Sequence, residues 1–294
     1  MNLFRTMLFV PGNDPVKLSK AAAYQADSLV LDLENTVPVY EKDAARDLVR
    51  NALKYLNYPC CVGVRINHIN TPFGWDDLEE IMKVKPAFFR LPKSELEEDV
   101  IKVDEFLSRT EKKYGYEEGS VKLVLTMETA KGVINSCDLA AASKRIVAIG
   151  IGAEDLAADM QATRSKRGAE ILFSRNLIVL AARSAGVEPL DHAYADLSDE
   201  EGFYADTQLG KEFGFSGKSV IHPKQVPIVH HIYTPTEVEI VEAQKIIAAY
   251  RKSVTNKSGV IALDGKMINT QVVAKAGRTL KSAWAAGKIK DNDN

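Results

Sequence analysis

Eight short runs of apolar and β-branched residues recur along the 294-residue chain, and each is followed by a stretch with helical patterning. Several runs are almost continuously hydrophobic, which is typical of parallel strands covered on both faces. The pattern therefore predicts an α/β fold, a (β/α)8 TIM barrel, with a doubly wound open sheet as the alternative. The runs lie at residues 7–10, 28–33, 61–66, 87–91, 122–127, 146–151, 189–194 and 219–221.

The strand–helix pattern ends near residue 235, and the rest of the chain is a surplus beyond the eight units. Residues 236–253 read as one helix with glutamates early and basic residues late, which suits the helix dipole. Residues 260–268 are predicted to form a hairpin turning at Asp264-Gly265, and residues 271–286 a last helix. We therefore predict a barrel over residues 1–235 and a C-terminal extension over residues 236–294, which packs on its own barrel or on a neighbouring subunit.

Composition argues against several classes of protein. The chain has 38 basic and 40 acidic side chains and no basic cluster, which argues against nucleic-acid binding. Its apolar runs are too short to span a bilayer, and a secretory signal is not evident. The cysteines Cys60, Cys61 and Cys137 lack metal-binding spacing, and Cys137 is expected to pack in the core. These features favour a reducing, cytoplasmic location.

Acidic side chains follow several of the predicted strands, where the chemistry of a TIM barrel is found. Glu128 ends the fifth strand and Asp155 follows the sixth, so both are expected at the same mouth. Two hard oxygen ligands that leave room for water and substrate oxygens suit Mg²⁺ better than Zn²⁺. The alternative is that each carboxylate caps a helix or forms a structural ion pair.

A second group of strand-end residues suits an anionic ligand. Arg65 ends the third strand, and its guanidinium can donate two parallel hydrogen bonds to an anionic or enolate oxygen. The alternative for Arg65 is an ion pair with Asp32 or Glu34 inside the barrel. The turn after Gly152 can offer backbone N–H groups to a carboxylate. A P-loop is rejected because Glu212 stands where its first glycine is required.

The strand ends match the motifs of a known family along essentially the whole chain. The sequence resembles the citrate lyase β-subunit group of the HpcH/HpaI aldolase/citrate lyase superfamily. The matching segments are RTMLFVPG at residues 5–12, DLENTV at 32–37, VRIN at 64–67, RLPK at 90–93, ET at 128–129, GAEDL at 152–156, GFSGK at 214–218, IHP at 221–223 and DGKMI at 264–268.

The resemblance implies a Mg²⁺-dependent lyase that cleaves a 3-hydroxyacyl thioester into an acetyl thioester and a 2-oxo acid. It implies Glu128 and Asp155 as metal ligands, with Glu128 also contacting substrate, and Arg65 as the residue that holds the thioester or enolate oxygen. Family members are commonly homotrimers in which the C-terminal segment reaches toward a neighbour's active site. The remaining substrate-binding positions that the resemblance implies are Asn35, Lys93, Gly152, Ala153 and Glu154.

The sequence departs from the family pattern at two positions. Asn35 stands where the family usually has aspartate, and Asn269 stands at the position of the family's presumed proton-transferring aspartate. An amide does not titrate near neutral pH, so Asn269 can orient a substrate but cannot relay its proton. Asp264, five residues earlier, and a metal-bound water are the alternative proton carriers.

Two functions follow from this reading. The first is an active lyase that cuts citramalyl-, malyl- or citryl-type thioesters carried on coenzyme A or on an acyl-carrier protein. His222, in the segment IHP, is a weak feature in favour of coenzyme A and is expected to be capped. The second is a 2-oxo-acid-binding or regulatory pseudoenzyme that has lost proton transfer at Asn269. A third function, aldol cleavage of a free sugar-like acid, fits the long C-terminal tail less well, because a thioester arm needs extra protein surface and a free acid does not.

Overall fold

The computed structural model describes residues 4–255, 262–263 and 266–290. Within these residues eight parallel strands pair in sequence order, and β1 also pairs with β8, which closes the barrel. This closure confirms the TIM barrel and excludes the doubly wound sheet. The strands are β1 Thr6–Pro11, β2 Ser28–Asp32, β3 Cys61–Arg65, β4 Phe88–Leu91, β5 Lys122–Met127, β6 Ile146–Ile151, β7 Glu188–Asp191 and β8 Gly217–Val220.

Helices connect the strands and begin and end at the residues that the sequence favours. Asp14 caps the first helix by accepting a hydrogen bond from the Lys17 backbone N–H at 3.0 Å, and Pro15 is its first residue. Gly186 ends α8 with a φ of +73°, a conformation that costs glycine little. The helices are α1 Pro15–Lys20, α2 Lys42–Tyr55, α3 Gly74–Met82, α4 Glu97–Tyr114, α5 Ala130–Ile134, α6 Ser136–Ala141, α7 Ala153–Asp159, α8 Leu172–Ala185, α9 Glu200–Phe213 and α10 Gln225–Tyr233.

An apolar layer fills the barrel interior below the strand ends. Gly63 must lack a side chain here, because a Cβ atom would lie 2.3 Å from the Phe88 ring. With this layer closed, polar side chains inside the barrel meet at the carboxyl ends of the strands. The layer consists of Phe4, Met7, Val30, Phe88, Val124, Ala148 and Leu190.

The chain forms two compact units, one over Phe4–His230 and the other from His231 onward. The second unit contains α11 Glu237–Thr255, the short strands β9 Ala262–Leu263 and β10 Lys266–Met267, and α12 Thr270–Ala285. The two strands pair antiparallel, as the predicted hairpin requires, although its turn at residues 264–265 lies outside the described residues. The apolar core of the second unit consists of Ile240, Ala243, Ala276, Leu280 and Ala283. Packing of this unit on a neighbouring subunit stays a prediction.

Two further features concern the surface. None of the described helices is long and apolar enough to cross a membrane. The prediction that Cys137 packs in the core is wrong: its side chain is exposed, because α6 buries Ser136, Leu139 and Ala140 instead.

Candidate active site at the strand ends

The site is anchored by a bidentate ion pair between β2 and β3. Asp32 and Arg65 are register partners, and Arg65 donates from Nε and Nη2 to the two carboxylate oxygens, each at 2.7 Å. Asp32 is fully buried, and although burial alone would raise its pKa, the Arg65 guanidinium holds that pKa below its usual value. Arg65 therefore forms the ion pair that was its alternative interpretation, and this pair fixes the guanidinium in the mouth of the barrel.

Glu34 and Lys93 extend this pair across the mouth. Lys93 Nζ donates to Glu34 Oε1 at 2.9 Å, and Arg65 Nη1 lies 3.2 Å from Glu34 Oε2. Lys93 has a φ of +45°, which is uncommon for a residue with a side chain. In this conformation its backbone N–H donates to Glu128 Oε1 at 2.8 Å. A strained backbone that serves a carboxylate is typical of a functional site.

Glu128 is a buried carboxylate whose pKa is raised. Burial is the largest cause that raises its pKa, and the negative charge of Glu34 is the next; with Asp155 also raising the pKa and Arg65 lowering it, the resulting pKa is about 7. A Cβ atom at Gly152 would lie 2.4 Å from Glu128 Oε2, so the absence of a side chain there makes room for the carboxylate. The structure therefore brings Glu128 into one electrostatic group with Glu34, Asp155 and Arg65.

Asp155 lies in the first turn of α7, which begins directly after Gly152. Its Oδ2 accepts a hydrogen bond at 3.2 Å from the Asn35 side-chain amide, which joins the β2 and β6 ends of the barrel. Ala153 and Glu154 also lie in this turn, where backbone N–H groups have no acceptor within the helix. The Glu154 carboxylate pairs with Arg164 at 3.0 Å. The Glu154 carboxylate is therefore occupied by Arg164, which leaves its backbone N–H as the group available at this turn.

Arg90 lies beneath this group and was not among the predicted site residues. Its guanidinium donates to Thr126 Oγ1 at 2.9 Å and to Ser219 Oγ at 3.3 Å, and it lies over the Phe9 ring. Burial, and then the nearby charge of Arg65, lower its pKa to about 10. Glu34 was likewise named only as a possible partner of Arg65. A charged residue inside the apolar run at residues 87–91 was the signal available for Arg90.

A second group of potential metal ligands is already neutralised by protein cations. Asp191, His192 and Asp206 lie close enough together to hold an ion. However, Lys218 Nζ lies 3.0 Å from Asp191 Oδ2 and 2.6 Å from Asp206 Oδ2, and Arg175 pairs with both aspartates. The ammonium group therefore takes the place that a metal ion would need.

The remaining predicted residues are His222, Asn269 and Asp264. His222 Nδ1 accepts the backbone N–H of Lys224 at 3.1 Å, which is the capped state expected for it. Asn269 is exposed and caps α12, because its Oδ1 accepts the Val272 backbone N–H at 2.9 Å. It belongs to the second unit, and Asp264 lies outside the described residues. No assignment of the proton carrier follows from these positions.

The strand-end carboxylates fit a divalent cation. Glu34 Oε2 is buried and accepts no hydrogen bond among the described residues, although Arg65 Nη1 lies 3.2 Å away. Glu128 carries an unfavourable charge in a dry setting. Neither Glu128 nor Asp155 has an ion-pair partner within the described part of the chain. Hard carboxylate oxygens in this situation are suitable ligands for Mg²⁺.

A closed eight-stranded barrel with charged groups meeting at the strand ends is the arrangement of a TIM-barrel enzyme. The HpcH/HpaI aldolase/citrate lyase family model matches residues 5–223. Citrate lyase subunit beta of Leuconostoc mesenteroides subsp. cremoris is 40% identical to the chain, covering 99% of it and 97% of that relative. The chain therefore belongs to the HpcH/HpaI aldolase/citrate lyase family, in its citrate lyase β-subunit-like group, and is an enzyme of the lyase class.

Two further proteins are similar to the chain over most of its length. A (3S)-malyl-CoA thioesterase of Cereibacter sphaeroides is 32% identical and covers 96% of this chain and 95% of its own length. The protein CitE of Mycobacterium tuberculosis was solved with magnesium, acetoacetate and coenzyme A. It is 30% identical, has a TM-score of 0.74, and the match covers 95% of this chain and 98% of that chain.

Proposed function

We propose that the protein is a Mg²⁺-dependent carbon–carbon lyase that cleaves a 3-hydroxyacyl thioester into an acetyl thioester and a 2-oxo acid. The candidate substrates are citramalyl-CoA, malyl-CoA and citryl thioesters. The observation that carries the proposal is the buried Glu128, whose pKa is about 7, in one group with Asp155 and Arg65. This group offers ligands for a cation and hydrogen-bond donors for an anion within one mouth.

Glu128 and Asp155 are the proposed metal ligands. The Lys93 backbone N–H holds the Glu128 carboxylate, and the Asn35 amide holds that of Asp155, so each ligand has one fixed oxygen. When bound, Mg²⁺ polarises the hydroxyl and carboxylate oxygens of the acid fragment. The relatives support this choice, since CitE of Mycobacterium tuberculosis was solved with magnesium.

The other side chains orient the substrate. Arg65 uses two of its N–H groups on Asp32, so other donors on Nη1 and Nη2 can reach the thioester oxygen. The backbone from Gly152 to Glu154 starts α7 and is proposed to bind the carboxylate of the 2-oxo acid. Lys93, held by Glu34, adds positive charge at the rim of this site.

Carbon–carbon cleavage moves one proton and one electron pair. The hydroxyl group loses its proton, the C2–C3 bond breaks, and the electron pair passes to the thioester as an enolate. The former hydroxyl carbon becomes the carbonyl of the 2-oxo acid, and a proton returns to the enolate carbon to give the acetyl thioester. The barrier falls mainly through stabilisation of the charge that develops on oxygen.

A second candidate function follows from Asn269. If this amide has replaced the only proton-transferring group, the protein binds a 2-oxo acid and thioester without turnover and serves as a regulatory pseudoenzyme. The position of Asn269 as the cap of α12 gives the amide a structural role that is compatible with either function. Turnover measurements separate the two.

Several partner assignments belong to the same proposal. The thioester is carried on coenzyme A or on an acyl-carrier protein, and the protein assembles as a homotrimer in the cytoplasm. CitE of Mycobacterium tuberculosis, solved with coenzyme A, supports the first carrier. The citrate lyase β subunits among the relatives are named as subunits, which supports assembly with other chains.

The test is a turnover assay with the purified chain. Citramalyl-CoA, malyl-CoA and citryl-CoA are supplied with Mg²⁺ or with EDTA, and acetyl-CoA and the 2-oxo acid are quantified by chromatography. We expect equimolar products from at least one thioester, only with Mg²⁺. Asp138→Asn, an exposed carboxylate on α6, is the control for ligand variants and should keep full activity. Binding of 2-oxo acid without cleavage of CoA or carrier-protein thioesters would favour the pseudoenzyme.

A further inference from the structure

Arg90 is a buried cation that has no acidic hydrogen-bond partner among the residues the structure describes. It is 2% exposed, yet all the hydrogen-bond acceptors it contacts are neutral: Thr126 Oγ1, Ser219 Oγ and, at 3.0 Å, Met7 Sδ. Other buried arginines of the described chain are paired, such as Arg145 with Glu111 and Arg175 with Asp191. An unpaired buried charge is costly, so its presence beneath the strand ends requires an explanation.

Arg65, by contrast, has its charge balanced within the protein. Asp32 binds it with both carboxylate oxygens, and Glu34 lies within ion-pair distance of Nη1. Arg65 can therefore donate hydrogen bonds to a substrate oxygen but adds little net positive charge. Lys93 is likewise paired with Glu34.

Arg90 is close to Arg65 and to Glu128, one of the two proposed metal ligands. The guanidinium carbons of Arg65 and Arg90 each lie 4.8 Å from the centroid of the Phe9 ring. A Cβ atom at Gly150 would lie 3.1 Å from Arg90 Nη2, so the guanidinium packs against the strand that leads to Gly152. Glu128 and Asp32 both interact electrostatically with Arg90.

We propose that Arg90 supplies the net positive charge that stabilises the thioester enolate, while Arg65 supplies the hydrogen bonds that orient its oxygen. This inference rests on the lyase function proposed above. Once a divalent cation offsets the charges of Glu128 and Asp155, Arg90 is left as a cation beneath the mouth with no carboxylate hydrogen-bonded to it among the described residues. Lys42 is a second cation without a carboxylate hydrogen bond, but backbone carbonyl oxygens of Leu33 and Glu34 already hold its ammonium at 2.7 Å.

The expected effect follows from Coulomb's law. For an assumed separation of about 8 Å between the guanidinium and the enolate oxygen, and an effective dielectric constant of about 20, one unit charge changes the affinity for an anion roughly 30-fold. A neutral ligand of the same shape should be almost unaffected. This difference separates a role of charge from a role in packing.

The test compares two pantetheine derivatives, since coenzyme A and carrier proteins share this arm. Carboxymethyl-pantetheine carries a fixed negative charge near the position of the enolate oxygen, and acetonyl-pantetheine is its neutral counterpart. Binding is measured by calorimetry with Mg²⁺ and pyruvate present. The variants are Arg90→Met, Arg90→Gln and Arg90→Lys, and thermal unfolding is followed for each.

We expect Arg90→Met and Arg90→Gln to lose about 30-fold in affinity for the charged derivative only, and Arg90→Lys to retain most of it. Because a buried unpaired charge is removed, Arg90→Met should be at least as stable as the parent protein. Equal loss for both derivatives, or unchanged preference for the charged one, would overturn the role of Arg90 while the lyase function stands. If the parent protein itself shows no preference for the charged derivative, enolate stabilisation and the proposed function both fail.

Discussion

Replacing Gly152 by alanine perturbs the proposed metal site through a single methyl group. The φ of Gly152 is −103°, which any residue adopts, so the backbone does not require glycine there. The space beside Glu128 does require glycine, because a Cβ atom at residue 152 would lie 2.4 Å from Glu128 Oε2 and 2.7 Å from Glu128 Cβ. Ordinary contact begins near 3.4 Å, so the Glu128 carboxylate must move by about an ångström.

This displacement sets the expected size of the effect. Misplacement of a reacting group or ligand by about 1 Å costs roughly 100-fold in rate, and loss of ligand support costs about 10- to 100-fold in metal affinity. Overpacking of a buried site costs about 1–3 kcal/mol of folding free energy. We therefore expect Gly152→Ala to fold, to bind Mg²⁺ at least tenfold more weakly, and to lose about 100-fold in kcat/KM.

The assay is calorimetric titration with Mg²⁺, together with steady-state turnover and thermal unfolding. Gly277→Ala is the matched control, because its Cβ atom would meet nothing within 4 Å and the residue lies inside α12. That control should gain about 0.5–1 kcal/mol of stability and leave Mg²⁺ binding unchanged. Normal Mg²⁺ affinity and normal turnover in Gly152→Ala would refute the placement of the cation beside Glu128.

Three further predictions concern titration, the ligands and the cap. Because burial and then Glu34 raise the pKa of Glu128 to about 7, protons compete with Mg²⁺ below that pH, and calorimetry should show Kd rising up to tenfold per pH unit from pH 7 to 6. Since this pKa lies above the value in the unfolded chain, Glu128 should destabilise the metal-free protein progressively as pH rises from about 4.5 to 7. Thermal unfolding across this range measures the effect, and a melting temperature that does not fall would contradict it. Glu128→Gln and Asp155→Asn should each remove Mg²⁺-dependent turnover without unfolding the chain, and full activity in either disproves its role as a ligand. Asn269→Asp keeps the cap on α12 and should raise turnover about 100-fold if the amide blocks proton transfer, whereas an unchanged rate means that another group carries the proton.

The barrel could be predicted because its strands are short β-branched runs separated by capped helices. Burial of parallel strands on both faces makes such runs almost continuous, so the eight positions stand out without structural information. Because both faces of a strand are buried, the sequence does not show which side chains point into the barrel. Phe88, Phe89 and Leu91 surround Arg90 with apolar residues on both faces of β4, and the pattern cannot tell which face lines the interior.

The sequence predicted those residues of the candidate site whose position depends only on where a strand ends. Arg65 ends β3, Glu128 directly follows β5, and Asp155 lies in the first helical turn after β6. The structure brings these three residues into one electrostatic group. Glu34 lies beyond the end of β2, where strand alternation no longer gives the direction of a side chain. The hydrogen bond between Asn35 and Asp155 joins residues 120 positions apart and depends on closure of the barrel.

A structure determined with Mn²⁺ and pyruvate tests the central claim most directly, because Mn²⁺ is located by its anomalous scattering. We expect one cation at about 2.2 Å from an oxygen of Glu128 and an oxygen of Asp155, with pyruvate completing its coordination beside Arg65. A cation bound elsewhere, or Glu128 and Asp155 without a shared ion at saturating Mn²⁺, would contradict it.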